Sequence, residues 1–138
     1  MTSIISIHTD GASRGNPGAA SIAYVIDGLP GGKIEFKRAI GIFSNNQAEY
    51  RALLAATEKL AELAVEDSEV IFLSDSELII KQINGEYRVK DVKLRPLFDR
   101  VNDLRATLEN RRNRLRFFTV RRHLNKVADR LANEALDG

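Results

Sequence analysis

Four carboxylates in this 138-residue chain stand where turn-forming or surface charge is not a sufficient account of them together: Asp10, Glu49, Asp75 and Asp129. Asp10 follows an alternating apolar stretch and precedes a glycine. Asp75 follows a short apolar run and precedes a helical stretch. Either alone reads as a turn former or a helix cap. Glu49 says more. Glu49, Leu53, Ala56, Leu60 and Leu63 recur at helical spacing, which puts the carboxylate on the apolar stripe of a helix. A lone buried carboxylate must be paired, protonated or bound to a cation. The competing account is a first-turn glutamate favoured by the helix dipole. Asp129 borders the apolar face formed by Ala128, Leu131 and Ala132, and alone it reads as a surface acid with a basic neighbour. The combination changes the reading. The chain has no cysteine and two histidines. Acids drawn from separate elements then suit a hard cation with oxygen ligands, Mg²⁺ or Mn²⁺. Two such ions about 3.5–4 Å apart can activate water and stabilise the leaving oxygen of a phosphodiester.

The elements that must position these acids follow from periodicity. Residues 3–10 alternate as a strand, followed by a polar, glycine-rich loop over 11–18. Residues 19–27 read as a second strand, Gly28 to Gly32 as a turn, and 33–42 as a returning third strand. Ser44 is placed to cap a helix from about 45 to 64. A nearly all-apolar strand over 69–74 reads as a buried parallel strand. Helices over 76–84 and 94–110, a fifth strand over 114–120 and a final helix over 126–136 complete the chain. The fold class is therefore α/β, in the order βββαβααβα. Three antiparallel strands and two parallel ones form one mixed sheet of five, flanked by helices. Such sheets bind ligands beyond their strand ends, near a switch in strand order.

Length fits a single domain over 1–138, with no repeat or linker. Hydrophobic residues make up 43% and charged residues 29%, as in ordinary soluble proteins. No apolar run is long enough to span a membrane, and the N-terminus does not read as a signal peptide. The absence of cysteine fits a reducing compartment, and a cytoplasmic location is expected. Net charge is only +2, but residues 86–126 hold 13 Lys and Arg against 5 Asp and Glu. A basic half is the footprint of a protein that meets a polyanion.

Four motifs occur in order: Thr9-Asp10-Gly11 with Gly15-Asn16-Pro17-Gly18, Ser44-Asn45-Asn46-Gln47-Ala48-Glu49, Leu73-Ser74-Asp75-Ser76, and Asn125-Lys126-Val127-Ala128-Asp129. With them the chain resembles type 1 ribonuclease H over essentially its full length, and the ribonuclease H-like fold is the one already inferred. The resemblance implies that Asp10, Glu49, Asp75 and Asp129 hold two Mg²⁺ ions, with Mn²⁺ a possible substitute. It implies cleavage of the RNA strand of an RNA–DNA hybrid, leaving a 5′-phosphate and a 3′-hydroxyl. Gly11, Asn16, Ser44, Asn45 and Asn46 match positions that touch the hybrid. Short amides and hydroxyls can read 2′-hydroxyls and phosphates without reading sequence. His123 fits the place of a family histidine that assists proton transfer or product release, a role suited to imidazole. The segment from His123 to Asp129 is shorter than in many relatives. His8, inside a strand, reads as structural.

Many bacterial members insert a basic protrusion after the second helix. Only residues 84–90 stand there, so the chain resembles the compact subtype without that handle and without a hybrid-binding domain. Substrate grip then falls to Arg88 and Lys90, with Lys93 and Arg111, Arg112, Arg114, Arg116, Arg121 and Arg122. A monomer is expected. Two other readings use the same residues. One is a nuclease of the same fold acting on double-stranded RNA or DNA junctions. The other is a non-catalytic hybrid-binding module, against which stands the presence of all four acids.

Overall fold

The computed structural model describes residues 3–138. Its strands are β1 (Ser3–Gly15), β2 (Gly18–Asp27), β3 (Ile34–Phe43), β4 (Ser68–Ser74) and β5 (Arg114–Thr119). Its helices are α1 (Asn45–Glu62), α2 (Glu77–Ile83), α3 (Arg95–Asn110) and α4 (Lys126–Asp137), with a 3-10 turn at Arg122–Leu124. The strands form one sheet in the order β3-β2-β1-β4-β5. β1 pairs antiparallel with β2 and parallel with β4, so the sheet switches direction across β1. The expected element order and the mixed five-stranded sheet are both present.

Alternation decides which face of the sheet each residue covers. Ile5 and Ile7 of β1, Val70 and Phe72 of β4 and Leu115 and Phe117 of β5 are buried in one large core with α1, α2 and α3. The Phe72 and Phe117 rings stack there at 4.7 Å. A smaller cluster on the opposite face joins Ala23 and Val25 of β2 to Ala128, Leu131 and Ala132 of α4. The sheet is thus sandwiched, and α1 and α4 approach β1 from opposite sides. β3, at the edge, stays largely exposed.

Helix starts are locally encoded. The Ser44 hydroxyl accepts from the Gln47 amide at 3.2 Å, and the Gln47 side chain accepts from the Ser44 amide at 2.9 Å. This reciprocal capping box fixes where α1 begins. Pro96 stands in the first turn of α3, where its missing N–H costs nothing.

Two expectations need correction, and one element is new. The glycine-rich segment after Asp10 is not a loop: β1 continues through Gly15, and only Asn16 and Pro17 turn the chain before β2. Two strands joined by a two-residue turn pair along their whole length, which overrides the loop-like composition. Helix α1 ends at Glu62, so Leu63 caps it and is 42% exposed rather than closing the apolar stripe. The turn at Arg122–Leu124 went unforeseen, because three residues are too few for periodicity to show.

Candidate active site

The carboxylates converge from four directions. Asp10 lies in β1 just past the last residue paired with β4, since that pairing ends at Thr9 and Ser74. Asp75 follows the end of β4, and Glu49 reaches in from the first turns of α1. Asp10, Glu49 and Asp75 each offer an oxygen within 4.8 Å of the others. Asp129, from α4, lines the same cleft of about 410 Å³ at the rim of the trio.

Glu49 is anchored. The Gly11 amide donates to its Oε1 at 2.7 Å, and the Ser74 hydroxyl to its Oε2 at 3.3 Å. That contact requires glycine at position 11. A Cβ there would lie 2.2 Å from the Ala48 carbonyl carbon and 2.4 Å from the Glu49 nitrogen, so only a bare backbone lets β1 rest against α1 here. Asp129 is paired differently: Arg122 stands 3.4 Å from its Oδ1.

Burial and mutual repulsion disturb the acids strongly. Desolvation, followed by the charge of Asp75, pushes Asp10 up to about 7, although a hydrogen bond from Glu49 partly opposes this. Desolvation and the charge of Asp10 hold Glu49 well above the usual carboxylate range, against the stabilising Gly11 amide. Burial also raises Asp75, moderated by the Arg122 guanidinium. Three crowded, desolvated carboxylates, with Arg122 paired to Asp129 beyond them, form a site short of positive charge. The donors are all oxygen, so the residues fit a hard divalent cation.

Of the other sequence candidates, Gly11, Asn45 and Asn46 line the cleft. The Asn16 side-chain oxygen, Oδ1, accepts from the Asn45 backbone amide at 3.0 Å, tying the β1–β2 turn to the start of α1. Ser44 serves that helix as its cap. Arg88 and Lys90 lie outside the acid cleft, in a groove between α2 and α3 with Tyr87 and Arg95. His123 is exposed, and it borders a separate cavity with His8, Asp27 and Lys33. Burial lowers the His8 pKa, although Asp27 pulls it up.

The arginines divide. Arg112 pairs with Asp67 at 2.5 Å, and Arg111 donates to the Ala61 carbonyl. Both sit at the start of β4, a seven-residue strand away from Asp75, or roughly 20 Å. Those two belong to the fold. Sequence reasoning overlooked Arg14 and Asn133 as cleft residues. Only the pairing of β1 with β2 and the packing of α4 bring them there.

A family model described as RNase H matches residues 2–137. The chain is 40% identical over 134 residues to ribonuclease HI of Halobacterium salinarum, covering 96% of this chain and 64% of that protein. It is 36% identical to a bifunctional protein of Mycobacterium tuberculosis, of which it spans 35%. The chain thus spans less than two thirds of these relatives' length. Among solved structures, RNase H1 from Halobacterium salinarum superposes with a TM-score of 0.86 at 38% identity, covering 97% of this chain and 98% of that one. LC11-RNase H1 in complex with an RNA/DNA hybrid gives 0.88 at 39% identity, covering 96% of each. On the match of family model, sequence and fold, the chain belongs to the RNase H family.

Proposed function

We propose that this chain hydrolyses the RNA strand of RNA–DNA hybrids endonucleolytically, with two divalent cations, leaving a 5′-phosphate and a 3′-hydroxyl. The observation that carries the reading is the convergence of Asp10, Glu49 and Asp75 within 4.8 Å at the mouth of a cleft. The family's solved member with bound hybrid supports the substrate. Asp10, Glu49, Asp75 and Asp129 would hold Mg²⁺, or Mn²⁺ in its place. The bound ions would polarise the attacking water and offset charge on the phosphate and leaving oxygen.

The chain's own residues do the rest. The Gly11 amide and Ser74 hydroxyl fix the Glu49 carboxylate, so the ligand shell is held before substrate arrives. Arg122 pairs with Asp129 at the edge of the acids, and its exposed guanidinium is a donor suited to phosphate oxygens. Asn45 and Asn46, at the start of α1, offer amides to sugar and phosphate oxygens along the cleft. Arg88 and Lys90 give charge without base reading, so binding should weaken steeply with salt.

The test compares labelled RNA–DNA hybrid, RNA duplex and branched DNA with Mg²⁺ or Mn²⁺. Hybrid cleavage confined to the RNA strand supports the reading, and preferential cutting of either other substrate refutes it. Asp10→Asn should abolish cleavage while hybrid binding persists. Cleavage unchanged in that variant would mark the acids as bystanders.

A further inference from the structure

Asn125 is a deeply buried polar residue near the cleft that the chemistry above does not use. It is 1% exposed. Its Nδ2 donates to the Thr9 carbonyl at 2.9 Å, across 116 residues of chain. Thr9 is the neighbour of Asp10. One turn further along α4, the Asp129 amide donates to the Asn125 carbonyl at 3.0 Å. A single residue therefore joins the strand that carries one acid to the helix that carries another.

The rest of the side chain makes little sense as a fold determinant. Asn125 Oδ1 is buried without a partner among the described residues. Asn125 also stands at the N-cap position of α4 without making a side-chain cap bond, although capping is what asparagine usually does there. The amide forgoes the local bond and leaves its oxygen desolvated, and what it makes instead is the link to β1. Unsatisfied buried groups of this kind call for a specific explanation.

We propose that Asn125 is a positioning residue that sets the separation of Asp129 from Asp10, and through it the affinity for divalent cations. The proposal rests on the metal-binding reading of the acids. Outer partners that orient ligands typically change metal affinity roughly 10–100-fold when removed.

The test measures Mg²⁺ and Mn²⁺ binding by titration calorimetry to wild type, Asn125→Ser and Asn125→Asp, with no nucleic acid present. Asn113→Ser is the control. Asn113 is likewise a buried amide, at the opposite end of the sheet, bonded to the Ser68 amide and to the Val65 and Leu108 carbonyls. The Asn125 variants should bind cation at least tenfold more weakly. The Asn113 variant should lose stability but bind within twofold of wild type. Hybrid cleavage at saturating cation should recover in Asn125→Ser. Affinity within twofold of wild type in the folded Asn125 variants would overturn the proposal, and so would equal weakening in Asn113→Ser. If neither Asn125 variant folds where Asn113→Ser does, the residue is a structural one and the proposal also fails. Wild type that binds cation but cuts no hybrid would refute the function proposed above and leave this inference standing.

Discussion

Replacing Asp10 by asparagine should stabilise the metal-free protein. In the folded chain Asp10 is held near pH 7, against an ordinary value of 3.8. Each tenfold change in proton affinity is worth about 1.4 kcal/mol, so the ionised form is disfavoured by roughly 4 kcal/mol. An amide of the same shape removes that charge and relieves Glu49, but it forfeits part of the hydrogen bonding between the two side chains. A net gain of about 2–3 kcal/mol is the expected balance. The sign follows from proton counting. Between about pH 4 and 7 the folded state holds a proton that the unfolded state has released, so wild-type stability falls as pH rises through that window and levels off above it. Asp10→Asn lacks this loss. The two proteins should be nearly equal near pH 4, and the difference should be fully open by about pH 8. Urea unfolding in a chelator, followed by circular dichroism because the chain has no tryptophan, reads the difference directly. Added Mg²⁺ should then stabilise wild type by mass action and the variant far less. A variant no more stable than wild type at pH 8 without metal would show that the acids are not crowded, and the electrostatic basis of the metal site would fall.

Further outcomes follow from single contacts. Gly11→Ala forces a Cβ into the α1 backbone; it should cost more than about 3 kcal/mol in urea unfolding, and a loss under about 1 kcal/mol would contradict the close approach. Ser44→Ala removes the capping box and should cost about 1 kcal/mol, with Asp10-dependent metal binding unaltered in calorimetry. Tyr50→Phe breaks the buried 2.6 Å bond to Gln82 and leaves that amide oxygen unpaired, a loss of about 1–3 kcal/mol by the same unfolding measurement. His123→Ala should lower the cleavage rate less than about tenfold, because His123 lies outside the acid cleft. A loss of 100-fold or more, the scale of general acid–base catalysis, would show that its turn reaches the reacting atoms.

The order of elements and the acid trio could be read directly from residue types and spacing. Glu49 was the decisive residue, because a carboxylate at core spacing on a helix has few explanations and a metal site is one. What could not be read depends on partners distant in sequence. The segment 11–15 has a loop's composition, and only its neighbour β2 makes it a strand. Basic residues look alike in a sequence, yet Arg112 closes a pair with Asp67 at the far end of the sheet while Arg122 sits beside Asp129. His123 follows the last strand as the resemblance implies, but the turn that carries it faces another cavity. Asn125 was visible only as part of a motif, and its bond to Thr9 spans most of the chain.

β1 outruns β4. From Asp10 to Gly15 it pairs with β2 alone, so one of its two flanks has no strand beside it, and the Gly11 amide spends its hydrogen on Glu49 from that flank. Part of the cleft is therefore main chain, which side-chain exchange cannot delete. Alanine substitution at Ser13 and Arg14 will under-report how much this stretch matters. Exchanging single amides for esters, which removes one N–H and leaves every side chain in place, is the way to measure it.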